Sequence, residues 1–145
     1  MTQEDKNLLL RDLSARLPYH VRCKVWLKDG TTEEGVLDLE HNYGDVLRDA
    51  FYYNKIVDIK PFLRPMSSMT EEEKKELSAK YNWSIMGNDI SIRYHSEGYW
   101  DDDTECPTNE YLKLFDWLNA HYFDYRGLIE KGLAIAVTEE NNPYK

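Results

Sequence analysis

The stretch NAHYFDYRGLIEKGLA, residues 119–134, sets His121, Asp124, Tyr125 and Arg126 within six consecutive positions. A histidine three residues from an aspartate could form a general base with an orienting carboxylate, and on a helix the two would share a side. Such a base needs something to activate. The chain has no GxSxG motif, and neither Cys23 nor Cys106 stands in the context of a catalytic thiol. The same side chains suit another role. A histidine in the last turn of a helix is stabilised by the negative end of the helix dipole. Asp124 can open the next turn, and Arg126 can pair with it. We therefore assign no catalytic residue, and read this stretch as a helix end with its exit turn. An enzyme built on His121 and Asp124 stands as a rival.

A second candidate lies upstream. From Glu97 to Glu110 the chain carries six acids and no base. Clustered carboxylates can hold calcium or magnesium, but DDDTECPTNE lacks the central glycine and ligand spacing of an EF-hand. Asp101, Asp102 and Asp103 are thus read as a solvated loop, with an adventitious cation site or a partner-facing acidic patch as alternatives. Tyr99 and Trp100 precede them, and aromatic residues of this kind either anchor interfaces or fold back onto a core. The histidines at 20, 41, 95 and 121 are dispersed. No Walker A, GxGxxG or HExxH motif occurs, so no metal and no cofactor is expected.

The elements that must position these residues can be read from periodicity. Leu9, Leu10, Leu13 and Leu17 recur at helical intervals over residues 3–16, with Thr2 as cap and Pro18 as stop. HVRCKVWLKDG alternates strictly: Val21, Cys23, Val25 and Leu27 share one face, and Arg22, Lys24, Trp26 and Lys28 the other. Arg22, Lys24 and Lys28 make a small basic strip, read as a solvated face. The Asp29–Gly30 turn leads to a second strand through Leu37 and Leu39. Residues 43–54 fit a helix or a strand, and strand is preferred. KIVDIKPFL reads as a further strand with Val57 and Ile59 inward and Pro61 closing it.

Thr70 and Glu73 form a capping box for a helix over TEEEKKELSAKY, anchored by Leu77. WSIMGNDISIRYH, residues 83–95, reads as a hairpin, and SEGYWDDDTECPT as a loop. A final helix over 108–122 presents Tyr111, Leu114, Phe115, Leu118 and Tyr122 as its apolar stripe. LAIAV can add a closing strand, and TEENNPYK is expected to fray. The outline is α+β: an N-terminal helix with an SH3- or Sm-like small antiparallel barrel over residues 1–65, then a helix–hairpin–helix region over 66–145 packed on it.

Composition bounds the function. The 145 residues are 41% apolar and 13% aromatic, enough for a folded core without a disulfide or metal staple. A formal charge of −9 repels phosphate backbones, so direct nucleic-acid binding is disfavoured. Two cysteines without disulfide or zinc spacing, a start without the features of a signal peptide, and the lack of a long apolar run predict a cytoplasmic protein.

Three strings carry a resemblance: IKPFLRPMSSMTEEEKKEL (59–77), FDWLNAHYFDYRGLIEKGLAI (115–135) and, more weakly, DLSARLPYHVRCKV (12–25). They resemble a family of small uncharacterised proteins encoded by gut bacteria and their phages or prophages. The resemblance implies an accessory protein of a mobile element, of a kind that usually acts by binding. The function expected is a non-enzymatic binding or regulatory module with a protein partner, with Tyr99, Trp100, Asp101, Asp102, Asp103, His121, Asp124 and Arg126 as its candidate binding residues. An alternative is an acidic mimic of nucleic acid that blocks a DNA-binding protein through its 97–110 run.

Overall fold

A computed structural model describes the backbone of residues 2–37, 56–81, 83–85, 92–96, 99–100 and 108–145. Helix α1 (Gln3–Arg16) starts at Thr2, whose hydroxyl accepts the Asp5 N–H while the Asp5 carboxylate accepts the Thr2 N–H. A short 3-10 turn, Leu17–Tyr19, carries Pro18 and ends at His20, whose φ is 57°. Strand β1 (Val21–Leu27) buries Val21, Cys23 and Val25, as its alternation requires. The turn at Gly30 (φ 88°) returns the chain into β2 (Thr32–Leu37), antiparallel to β1. Leu39 and residues 43–54, expected to continue this sheet, lie outside the described residues.

Strand β3 (Ile56–Leu63) lies on the other side of β1, again antiparallel, with Cys23 opposite Pro61 and Val25 opposite Ile59. Two expectations need correction here. Val57 is 67% exposed, because the register with β1 shifts there: Trp26 pairs with Asp58 and Leu27 with Ile56, and Val57 is the extra residue of the bulge. Nor does Pro61 close the strand, which runs on through Phe62 and Leu63. The Leu63 carbonyl accepts the Val137 N–H, so odd positions of β3 direct their backbone groups away from β1. The imide nitrogen of Pro61 points the same way, beside the pairing that begins only at Phe62, and no ladder bond is lost there.

A 3-10 turn at Met66–Ser68 leads to α2 (Glu71–Tyr81), whose capping box is complete. The Glu73 N–H donates to the Thr70 hydroxyl, and the Thr70 N–H to the Glu73 carboxylate. The expected hairpin is present as β4 (Trp83–Ile85) against β5 (Ile92–Ser96), with Trp83 opposite Tyr94; its turn lies outside the described residues. Tyr99–Trp100, read above as loop, form a third strand, β6, antiparallel to β5. Helix α3 (Thr108–Ala120) follows, and then β7 (Ile135–Ala136).

The main sheet runs β2-β1-β3-β7, and β7 is parallel to β3. It is open, so the barrel expectation is corrected. The far edge of β3 is taken by a strand that arrives after two helices and a small second sheet. That long crossover is what a parallel pairing demands. The fold is α+β: an N-terminal helix, a four-stranded mixed open sheet and two later helices.

Among the described residues two apolar clusters hold it together. In one, Leu9 and Leu13 of α1 pack on Val21, Cys23, Leu37 and Leu63, together with Leu128, Leu133 and Ala134; it joins residues from both sides of position 65. In the other, Met69 and Leu77 meet Leu114, Trp117, Leu118 and Phe123. The Arg64 guanidinium lies 4.1 Å from the Phe123 ring centroid and binds Glu73 through two bonds, of 2.8 and 2.6 Å. Burial raises the Glu73 carboxyl, but these bonds and those to Thr70 outweigh it and leave the group below its ordinary range.

Candidate functional site

The last turn of α3 and the chain just beyond it place His121, Asp124, Tyr125 and Arg126. The Tyr122 N–H donates to the Asn119 carbonyl and the Phe123 N–H to that of Leu118. Those two bonds, with Tyr122 at φ 63°, are the Schellman exit. A left-handed conformation costs an L side chain about 1 kcal/mol, and here the Tyr122 side chain makes compensating contacts. Its ring stacks on Tyr144 at 3.8 Å, and its hydroxyl donates to the Tyr19 carbonyl at 2.7 Å. Beyond the exit the backbone runs beside β3, with the Arg64 N–H donating to the Tyr122 carbonyl and the Asp124 N–H to the Arg64 carbonyl.

Asp124 is only 7% exposed, and both its oxygens are occupied. They accept the N–H groups of Leu128 and Ile129, each at 2.9 Å, so Asp124 opens the next turn. His121 is committed elsewhere. Its Nδ1 lies 2.8 Å from the Trp117 carbonyl, which can only accept, so Nδ1 carries a hydrogen and donates it there. The imidazole also stacks on the Trp117 ring at 4.0 Å. The two residues border different clefts. His121 lines an open one of about 580 Å³ with Arg64, Tyr122 and Tyr144, and Asp124 one of about 410 Å³ with Pro65 and Ile129. His121 and Asp124 are therefore not brought together as a base and its orienting carboxylate.

Arg126, expected to pair with Asp124, turns to Asp12 instead, at 3.3 Å. There it joins a network that no sequence motif announces. Asp12 and Arg16 are both fully buried one turn apart on α1, bonded through Arg16 Nε (2.8 Å) and Nη2 (3.1 Å). Arg16 Nη2 also donates to the Phe123 carbonyl at 2.6 Å. The guanidinium of Arg16 lies 5.2 Å from the Tyr125 ring centroid and that of Arg126 4.8 Å. The Tyr125 hydroxyl accepts from Arg126 Nη1 and donates to the Asn119 side chain. The i,i+4 spacing of Asp12 and Arg16 was visible in the sequence, but such pairs usually sit in solvent and contribute little. Burial is what changes their weight. Beside the network, burial pushes the Cys23 thiol up to about 12, which removes it from thiolate chemistry at neutral pH.

Of the other candidates, Tyr99 and Trp100 are placed in β6, while Asp101, Asp102 and Asp103 lie outside the described residues. The expected apolar stripe of α3 is split. Leu114 and Leu118 are buried with Trp117, whereas Tyr111 and Phe115 turn outward at 45% and 40% exposure, beside Leu112 at 60%. Positions 111, 112 and 115 are neighbours on the helix surface, and Phe115 meets the Tyr125 ring at 5.2 Å. No group of three potential metal ligands occurs among the described residues, and no helix among them is long and apolar enough to cross a membrane. No family model, no curated protein and no solved structure matches the chain.

Proposed function

We propose that this protein is a non-catalytic binding module that docks a protein partner through the outward side of α3. One observation carries the reading: Tyr111, Leu112 and Phe115 keep large apolar surfaces in water on adjacent positions of one rigid helix. Exposed apolar side chains that lie side by side mark interaction sites, and aromatic rings dominate the energetics of such contacts. Helix α3 is held firmly from behind by Leu114, Trp117 and Leu118, so its outer face is pre-organised and little ordering entropy opposes docking. The polar groups capable of chemistry fit the same reading. Asp124 holds backbone amides, Asp12 holds two arginines, and His121 is pinned on Trp117. The resemblance to small proteins of gut bacteria and their phages, which implies an accessory protein that acts by binding, agrees with this reading.

The test is capture from host lysate with the intact protein and with Leu112→Glu/Phe115→Glu. The wild type should retain a stoichiometric protein partner and the variant should lose it while still unfolding cooperatively; Leu112 is 60% exposed, and Phe115, at 40% exposure and packed on Tyr125, accounts for a small drop in melting temperature. A wild type that retains nothing, or a variant that retains the same partner, would overturn the proposal. Loss of concentration-dependent self-association in the variant alone would identify the partner as a second copy.

A further inference from the structure

One position past the last β1–β3 pair, Cys23 opposite Pro61, the ladder is interrupted. Arg22 and Phe62 would come next, and a side chain stands between them. The Arg22 N–H donates to the Tyr144 hydroxyl oxygen at 3.1 Å, and that hydroxyl donates to the Phe62 carbonyl at 2.7 Å. A phenol thus stands in place of a direct bond from the Arg22 N–H to the Phe62 carbonyl. Residues 137–145 are otherwise held by the stack of the Tyr144 ring on Tyr122 and by polar contacts. The Val137 N–H bonds the Leu63 carbonyl, Thr138 and Asn141 bond each other, and the Asn141 side chain donates to the Ala136 carbonyl. No residue from 137 to 145 is buried. The preceding pair, Leu133 and Ala134, belongs to the main core and ties down the point from which the segment leaves.

The open cleft beside His121 has two unlike walls. Arg64, His121 and Tyr122 come from the core, and Val137, Asn142 and Tyr144 from this segment.

We propose that residues 137–145 are a strap that opens and closes as a unit, latched by the Tyr144 hydroxyl between β1 and β3, and that its release opens the cleft beside His121. Segments with few buried apolar contacts and solvent-facing hydrogen bonds open far below the global unfolding free energy. In the open state Arg22 N–H, Phe62 C=O and one face of Tyr122 become available together. That set would receive a hydroxylated aromatic ring, the chemistry that Tyr144 itself supplies.

Amide hydrogen exchange on the full chain tests this. In the wild type, the amides of Arg22, Val137 and Asn141 should exchange together through one shared opening, well before those of Arg64 and Phe123. Tyr144→Phe keeps the ring and removes the latch, so Arg22 and Val137 should exchange about tenfold faster, with Phe123 unchanged. Asn141→Ala loosens the strap without touching the latch and should accelerate the same amides, which keeps the test available if the first variant folds poorly. Arg22 and Val137 amides as protected as those of the core, or unmoved by both variants, would overturn the strap.

Discussion

The chain leaves a helical turn by the same route at Tyr122 and again at Gly132. At the first, Tyr122 and Phe123 donate to the carbonyls of Asn119 and Leu118; at the second, Gly132 and Leu133 donate to those of Ile129 and Leu128. The backbone angles agree as well, with φ 63° and 73°. Only the residue in the left-handed position differs. Glycine takes that conformation without a side-chain clash, so the second exit is specified locally. Tyrosine resists it, and the first exit is held by partners far along the chain: Tyr19, Tyr144, and Arg16 on the Phe123 carbonyl. Identical hydrogen bonding can thus rest on local conformational preference or on tertiary contact.

The largest way to break the first exit is Arg16→Met. It takes a bond from the Phe123 carbonyl and leaves a fully buried Asp12 with only the half-buried Arg126. Removing one member of a buried pair costs about 3–5 kcal/mol, to be read from urea unfolding. Adding Asp12→Leu should recover much of that loss, since an apolar pair of similar volume is often neutral.

Asp124→Ala attacks the second exit at its start. The buried Leu128 N–H and that of Ile129 lose their acceptor, an expected loss of about 2 kcal/mol. A variant as stable as the wild type would mean that water or another group takes over both amides.

The comparison sharpens with substitutions of opposite sign. Gly132→Ala should destabilise by about 1 kcal/mol. A Cβ there meets nothing within 4 Å, so the whole cost is conformational. Conversely, Tyr122→Gly should be more stable than Tyr122→Ala by about 1 kcal/mol, although both lose the ring. Equal stability of those two variants would show that the left-handed geometry at 122 carries no strain.

The smallest effect concerns the Arg64–Glu73 pair, which supports Phe123 from behind. Glu73 is lowered in the folded state, so its contribution is present above the ordinary glutamate range and fades as pH falls through the folded value. Glu73→Gln keeps a capping side chain and loses the charge. Its deficit against the wild type should therefore shrink as pH drops below about 4.3, the ordinary glutamate value; a constant deficit would place the effect in the cap instead.

Much of the fold was legible because its cause is local. The Thr2 and Thr70 caps, the β1 alternation and the Asp29–Gly30 turn each depend on residues within a few positions, and all are present. Legibility failed where a distant segment intervened. Periodicity along α3 could not show that Leu114, Trp117 and Leu118 would face the core while Tyr111 and Phe115 turned to water. Nor could it show that TEENNPYK, expected to fray, would send Tyr144 across to β1 and β3. Of the candidate residues, Asp124 was read correctly as the opener of a turn, but the partner of Arg126 lies at Asp12, more than a hundred positions away.

By itself the sequence determined where helices begin, which face of β1 is apolar and where a glycine lets the chain reverse. Each is a matter of sterics and hydrogen bonds within one or two turns of chain. The tertiary structure decided whether the sheet would close, which side of α3 would stay exposed, and that an Asp–Arg pair of ordinary spacing would become a buried charge. Burial depends on what packs against a surface, and in this molecule that material comes from the far end of the chain.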